Sequence, residues 1–363
     1  MLKRAVETKA SIGASMIWSD TQKLIEDKRV LPILSNCMLA TLFGGDPGDV
    51  AESWAADVGS PLAKPQNRDL ARVAQFHSVN INNPRQAKLD YHFALKNYLL
   101  GMAKADPASD SDYIAELIDE AQRAGLDKVS LSEIARNLGY PKFADVNRNP
   151  LRLLAELPLP IYVTTSHHQF LEAELAKTGA KTPVSEIFYW NDALQTIPSI
   201  YDKEPDYQPS STRPLVYHLF GSDAYPESLV LSEDDYLDIL VKLSSLKREV
   251  KVGESARSAT TGAKFDIPSE LKLALSGDGL LLLGYQLYDW EFRVLFKWLV
   301  NYTGESRKGK GAPEGICMQV KPGADAQQIQ DYLGKFFGQK SFSVYWGDLE
   351  PCVQELWTRW KGG

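Results

Sequence analysis

Cysteine is scarce: Cys37, Cys317 and Cys352 are the only three in 363 residues. They are odd in number and far apart, and no Cys-x-x-Cys pair exists. This excludes a disulfide framework and a metal finger, and it points to a reducing compartment. No stretch approaches the ~18 consecutive apolar residues of a membrane span. The first twenty residues carry no continuous apolar segment, so no signal peptide is read there and a cytoplasmic location is expected. Basic residues are not in excess either: 40 Lys and Arg stand against 47 Asp and Glu, a net charge of −7. A general polyanion-binding surface is therefore disfavoured, and direct nucleic acid binding is not expected. Internal repeats and low-complexity segments are lacking.

What the chain does have is the material for a substantial core, with 44% hydrophobic and 24% charged residues. Short apolar runs at 30–34, 161–165, 215–219, 280–283, 316–320 and 342–346 read as strands, with a further extended segment at 183–189. Leu280 to Leu283 lacks polar alternation, as expected of a strand buried on both faces of a parallel sheet. Pro32 weakens the first strand, because proline cannot donate to the ladder. Helical patterns lie between the strands, as in 170–177, 232–246, 289–302, 325–337 and 349–360. Residues 44–48 read as a loop, and 247–264 as a longer loop. From about 67 to 157 no strand interrupts a run of helices. In the helix around 85–105, Leu89, Phe93, Leu95, Leu99 and Met102 recur at near-helical spacing. Strands alternating with helices predict an α/β fold with a doubly wound, Rossmann-like parallel sheet. The expected organisation is one domain over 1–363 with an all-helical insertion at 67–157.

In such a sheet the strand C-termini lie along one edge, where ligands bind. Four strand ends carry polar residues or glycine: Ser35-Asn36, Ser166-His167-His168, Gly221-Ser222-Asp223 and Gly284-Tyr285-Gln286. Two of the five histidines, His167 and His168, stand side by side at one of these junctions. If the chain remains extended through residue 168, Ser166 and His168 share a face and His167 points away. His218, within a strand, reads as a core histidine. Asp289 is placed to cap a helix, and Trp290, Trp298, Trp357 and Trp360 read as core or partner-facing side chains. No Gly-x-Ser-x-Gly elbow accompanies Ser166, the histidines and Asp223, so a serine hydrolase is disfavoured. A metal site at His167, His168 and His218 lacks an acidic or cysteine partner at ligand spacing.

These same segments resemble the sirtuin-like family, in particular its divergent bacterial branch found in antiphage defence. Thr164-Thr165-Ser166-His167-His168 followed by Phe170-Leu171-Glu172 is similar to the family's Thr-Thr-Asn-Tyr-Asp strand end and Leu-Glu helix. Tyr217-His218-Leu219-Phe220-Gly221-Ser222 is similar to its strand ending in His-Gly. Pro226 to Tyr236 resembles the helix entry that follows. Gly284-Tyr285-Gln286-Leu287-Tyr288-Asp289-Trp290-Glu291-Phe292-Arg293 resembles Gly-Tyr-Ser-Leu-x-Asp-Trp-x-Phe-Arg. The resemblance implies NAD as the ligand and cleavage of the bond between nicotinamide and ribose. Departures fall at the key positions. Ser166 stands at the family's catalytic Asn and Phe220 at its catalytic His. The Gly-rich first turn is replaced by Leu34-Ser35-Asn36, and Gln286 replaces a Ser.

The expectation is thus an NAD-hydrolysing sirtuin-like protein of a defence system, with Ser166 and His168 as the catalytic pair. Ser35, Asn36, Thr165, His167, Gly221, Ser222, Gly284, Tyr285, Gln286 and Asp289 are the expected NAD-binding residues, and no metal is expected. Action as a homo-oligomer, or with a partner protein of a defence complex, is expected. The alternative is a catalytically degenerate nucleotide-binding or assembly module. Lysine deacylation ranks third, because the Cys₄ zinc module of deacylase relatives is missing.

Overall fold

Seven short strands lie side by side, all parallel, in the order β3-β4-β2-β1-β5-β6-β7. They are β1 (Val30–Leu34), β2 (Ile161–Thr164), β3 (Val184–Ile187), β4 (Leu215–His218), β5 (Gly279–Leu283), β6 (Gly315–Val320) and β7 (Phe342–Trp346). This computed structural model describes residues 21–36, 46–106, 111–125, 129–140, 149–246, 266–285, 289–303, 315–320, 331–332, 334–337 and 342–362. Both faces of the central strands are apolar. Val30 and Leu34 of β1 join one core cluster and Leu31 and Ile33 the other; Leu281 and Leu283 of β5 separate from Leu280 and Leu282 in the same way. Side chains of successive residues leave a strand on opposite faces, so burial on both sides removes any polar alternation. Pro32 is accommodated in this central strand: the ladder with β2 starts only at Ile33, beyond the residue without an N–H.

The chain leaves β1 for β2 on one side and later reaches β5 on the other. Winding therefore reverses at β1, the position at which open α/β sheets take ligands beyond the strand ends. Between β1 and β2 the described residues hold helices and no strand: α1 (Pro47–Asp57), α2 (Leu70–Ile81), α3 (Pro84–Ala105), α4 (Ser111–Ala124), α5 (Leu131–Asn137) and α6 (Pro150–Glu156). The remaining helices are α7 (Phe170–Lys177), α8 (Ile200–Lys203), α9 (Glu233–Ser245), α10 (Ser269–Gly277), α11 (Trp290–Thr303) and α12 (Leu349–Lys361). The helical run starts before residue 67, because 46–48 is a helix entry rather than part of a loop. Asp46 accepts from the Gly48 N–H at 2.9 Å and Pro47 takes the first helical position. Asn83-Pro84 and Asn149-Pro150 open α3 and α6 in the same manner. The Asx side chain satisfies an orphan N–H, and the proline has no N–H to leave unsatisfied. Helix α10 was not anticipated from the sequence. The expected loop at 247–264 and the first part of the helix at 325–337 lie outside the described residues, as do Gly44 and Gly45.

Helix α3 buries Leu95 and Leu99 as its apolar spacing indicates, but not Leu89 and Phe93. Leu89 and Phe93 are 40% and 51% exposed, whereas Lys88, His92 and Lys96 are buried beside Tyr91, Leu95 and Leu99. The lysine is tolerated there because it is paired. Lys88 Nζ donates to Asp235 Oδ1 at 2.9 Å and lies 4.8 Å over the Trp190 ring. Asp235 is itself held by the capping box at the start of α9, where its other oxygen accepts from the Leu231 and Ser232 N–H groups. A basic stripe at i, i+4 and i+8 of α3 consequently faces the body of the protein.

Candidate functional site

Two polar centres occupy the C-terminal edge of the sheet. The first joins the ends of β1, β2 and β5 around Glu291, in the first turn of α11. Its carboxylate accepts from the Asn36 N–H at 2.6 Å, from Ser35 Oγ at 3.1 Å and from Thr165 Oγ1. Thr165 Oγ1 also lies 3.1 Å from the Tyr285 hydroxyl and from the Leu34 carbonyl. Ser35, Thr165, Tyr285 and Glu291 are all buried. Burial pushes the Glu291 carboxyl up to about 7 against the Thr165 and Asn36 hydrogen bonds, and the charge of Asp289 adds to the rise. Of the residues expected to hold a dinucleotide, this centre gathers Ser35, Asn36, Thr165 and Tyr285, with Asp289 close enough to act on Glu291. Gly284, at φ +80°, supplies the left-handed turn between β5 and Tyr285. Gln286 lies outside the described residues.

The second centre joins the ends of β2 and β4. After Thr164 the chain bends instead of staying extended, so the separation of His167 from His168 expected of a strand does not hold. Ser166 N–H donates to Thr164 Oγ1 at 2.9 Å, and Ser166 Oγ accepts from the His168 N–H at 3.1 Å. The serine hydroxyl therefore shapes the turn that presents His168. His168 Nδ1 lies 3.8 Å from Asp223 Oδ2, within ion-pair range but beyond hydrogen-bond distance. The same Asp223 oxygen accepts from Ser132 Oγ at 2.7 Å and from its N–H at 3.2 Å, which ties helix α5 to the sheet edge. The Asp223 N–H donates to the His167 carbonyl at 2.6 Å. Burial opposes the Asp223 charge, but the His168 imidazole and the Ser132 hydroxyl hold its carboxyl below the ordinary value. His167 is pushed down to about 3, by burial first and then by the neighbouring imidazole of His168, so it is neutral.

His218 borders this centre as a core histidine. Its Nδ1 is 3.0 Å from the Ser166 carbonyl and its Nε2 is 2.6 Å from Glu172 Oε1, which also accepts from Ser185 Oγ at 2.8 Å. Burial works against protonation of His218, yet the Glu172 carboxylate and these hydrogen bonds raise its pKa. Phe220 is buried and packs edge-on to Tyr236, with ring centroids 5.6 Å apart. Gly221 has φ +87°, and a Cβ there would lie 2.2 Å from the Ser228 carbonyl oxygen. Ser222 N–H donates to Ser228 Oγ at 3.0 Å. Gly221 and Ser222 thus fold the loop after β4 tightly onto the 3-10 turn Pro226–Ser228. Trp298 is a core residue, Trp290 stacks on Tyr236, and Trp357 and Trp360 are partly buried.

Three site residues escaped the sequence. Glu291 stands between Trp290 and Phe292 at a helix start, an acid between core aromatics, and that was its available signal. Ser132 carried none beyond its place in a capped helix. His92 is the third. It is buried on α3 and near enough to Asp223 and His168 for their charges to act on it. Burial first, and then the Lys96 charge, push it down to about 4.

NAD fits the two centres unequally. The hydroxyls and N–H at the end of β1 already serve the Glu291 carboxylate, so with this pairing in place the described residues there offer no match for a diphosphate. At the β2/β4 centre, His92 Nε2, His167 Nδ1 and Asp223 Oδ1 are buried without a hydrogen-bond partner among the described residues, as a site for a hydroxyl-bearing group requires. The described residues contain no cluster of His, Cys, Asp or Glu suited to a metal ion. Among them, no helix is long and apolar enough to cross a membrane.

A parallel sheet wound both ways from β1, with its polar strand ends on one edge, defines a Rossmann-like α/β protein. Residues 160–333 match the family model of the SIR2-like domain, and over that span the chain is sirtuin-like. SIR2-like domains generally bind NAD. The matched span runs from the start of β2 past β6; it leaves out β1 and the helices carrying His92 and Ser132. No curated protein matches the chain.

Proposed function

We propose that the chain binds NAD or a related nucleotide at the β2/β4 edge and hydrolyses the bond between nicotinamide and ribose. The observation that carries this is the pairing of His168 with the buried Asp223 carboxylate beside unpartnered polar atoms, in a SIR2-like sheet. Hydrolysis needs a group that takes a proton from water at the anomeric carbon. His168 takes this proton through its imidazole; Asp223 stabilises the imidazolium, and the Ser132 hydroxyl fixes Asp223. Ser166 positions His168 through its turn hydrogen bond. Ser35, Asn36, Thr165, Gly284, Tyr285, Gln286 and Asp289 border this site, and a phosphate reaches the end of β1 only if Glu291 gives up the donors it holds. A cytoplasmic role in antiphage defence, as a homo-oligomer or with a partner protein, belongs to the same proposal and rests on the resemblance at residues 161–296.

Nicotinamide release from NAD by the purified chain is the test, with Ser166→Ala and His168→Ala alongside. Turnover in wild type that falls in both variants supports the proposal; undiminished turnover in both overturns the assignment of residues. The alternative is a nucleotide-binding or assembly module without turnover. It is favoured by the buried Phe220 at the family's catalytic His and by the engagement of Ser166 Oγ with its own backbone. A ligand at 100-fold its Kd stabilises a fold by ~2.7 kcal/mol. A thermal shift with NAD but no nicotinamide release identifies that module.

A further inference from the structure

We propose that His92, carried on helix α3, is a ligand-contacting residue of the β2/β4 site, and that the site takes a neutral group rich in hydroxyls. The proposal rests on the nucleotide-binding function proposed above, and it adds a residue from outside the span matched by the SIR2-like family.

Three separate segments converge on the site. Helix α3, packed against the turn Pro226–Ser228 that follows Asp223 and against α5, brings His92 within reach of the Asp223 and His168 charges; the turn after β2 brings His167 and His168, and the loop after β4 brings Asp223. Helix α3 is held there by an ion pair and by a packed neighbour. Lys88, one turn before His92, is paired with Asp235, and helix α5, packed beside α3, reaches Asp223 through Ser132. His92 is only 6% exposed, and its Nε2 has no hydrogen-bond partner among the described residues. His167 Nδ1 and Asp223 Oδ1 share this condition. Buried polar atoms are nearly always hydrogen-bonded, and three unpartnered ones from three segments of one centre require a common explanation.

The chemistry of these atoms selects the ligand. Asp223 is a carboxylate and only accepts. His92 and His167 are neutral imidazoles, each with one donor nitrogen and one acceptor nitrogen. A phosphate or carboxylate cannot donate to Asp223 and is repelled by it. A hydroxyl both donates and accepts, so a vicinal diol of the ribose type serves the carboxylate and an imidazole together. A carboxamide also both donates and accepts, and it is the other source of such groups in NAD.

The test uses the full chain with ADP-ribose and nicotinamide as separate probes in titration calorimetry. The ring resonances of the histidines are followed by ¹H–¹⁵N NMR in the same titrations, with the His92 signals assigned in the wild-type chain by through-bond correlation to its backbone. The expected result is that ADP-ribose binds and shifts the His92 ring resonances, and that His92→Asn weakens ADP-ribose at least tenfold while its unliganded melting temperature stays near wild type. The NMR shift in wild type stands as evidence even where the variant folds poorly. Shifts with nicotinamide alone would assign the site to the carboxamide and overturn the diol. Binding of ADP-ribose with the His92 resonances unmoved and the His92→Asn affinity unchanged would overturn the role of His92 while leaving nucleotide binding in place. Failure of NAD, ADP-ribose and nicotinamide alike to bind wild type would overturn the nucleotide reading itself, and this inference with it.

Discussion

The two polar centres on the sheet edge stand in opposite states. Around Glu291, donors from β1 and β2 meet one carboxylate and its hydrogen bonds close on themselves. Around Asp223, hydrogen bonds fix the frame through Ser132 and the His167 backbone, yet His92 Nε2, His167 Nδ1 and Asp223 Oδ1 have no partner among the described residues. A saturated buried network rigidifies a fold, whereas unsatisfied buried groups carry a cost that a ligand can offset. The β1/β5 centre thus has the character of a structural joint and the β2/β4 centre that of a working site. This inverts the usual weighting in a Rossmann-like sheet, where the turn after β1 approaches phosphate.

The largest expected effect tests the working site. His168→Ala and Asp223→Ala should each lower nicotinamide release by about 10²–10⁴-fold, the range of a lost general base. Single-turnover rates measured beside thermal melts check this. Activity that survives both substitutions in a folded protein would erase the distinction between the centres. Next in size is Glu291→Ala, which should cost about 2–3 kcal/mol in chemical denaturation, because it removes the acceptor shared by the Asn36 N–H, Ser35 Oγ and Thr165 Oγ1 and leaves a gap among buried groups. A loss under 1 kcal/mol would mean that the joint bears little of the fold.

How much of this was legible in the sequence follows from the range of each interaction. Strands β1, β2, β4 and β5 were readable because burial on both faces leaves an unbroken apolar run, which is local information. Their gathering on one edge followed from the parallel winding. Residues 46–48 were misread because Asp-Pro serves both turns and helix entries, and only the Asp46 hydrogen bond to Gly48 N–H decides between them. On α3, Leu89 and Phe93 suggested a face that proves to be exposed, and that choice concealed Lys88, His92 and Lys96. Pairing with Asp235, 147 positions away, is what allows Lys88 to be buried. Glu291 is similar: its partners Ser35 and Thr165 are 256 and 126 positions distant. Polar centres assembled from distant segments leave no periodic trace. His167 and His168 were visible because they are adjacent in sequence, whereas the third imidazole of their site was not.

A pH titration sharpens the comparison with an effect of similar size. Burial lifts the Glu291 carboxyl in the folded state from an ordinary 4.5 to about 7. Between these values the folded chain keeps a proton that the unfolded chain has lost. The protonated joint's contribution is complete below about pH 4.5 and is lost as pH rises through about 7. The full change attributable to this one group is roughly 3–4 kcal/mol, of which about 2–3 kcal/mol falls between pH 5 and pH 8. In Glu291→Gln this component of the slope should vanish, measured as the wild-type-minus-variant difference in unfolding free energy at pH 5 and pH 8. A difference that does not vary with pH would place the proton elsewhere.

The smallest effect separates a side chain from its backbone. Asn36 was expected to hold nucleotide, and it lies at the joint, but the atom that reaches Glu291 is its main-chain N–H. Alanine retains that N–H, and the Asn36 side chain is partly exposed. Asn36→Ala should therefore change stability by no more than about 0.5 kcal/mol, as for a surface site without a special partner. Its effect on nucleotide affinity is the informative quantity. If Glu291 keeps the donors at the end of β1, ADP-ribose should bind Asn36→Ala within twofold of wild type while His92→Asn weakens it at least tenfold. A tenfold loss in Asn36→Ala, with stability unchanged, would show that ligand reaches the β1 turn past Glu291. Phosphate would then meet the end of β1 after all, and the two centres would act as one site.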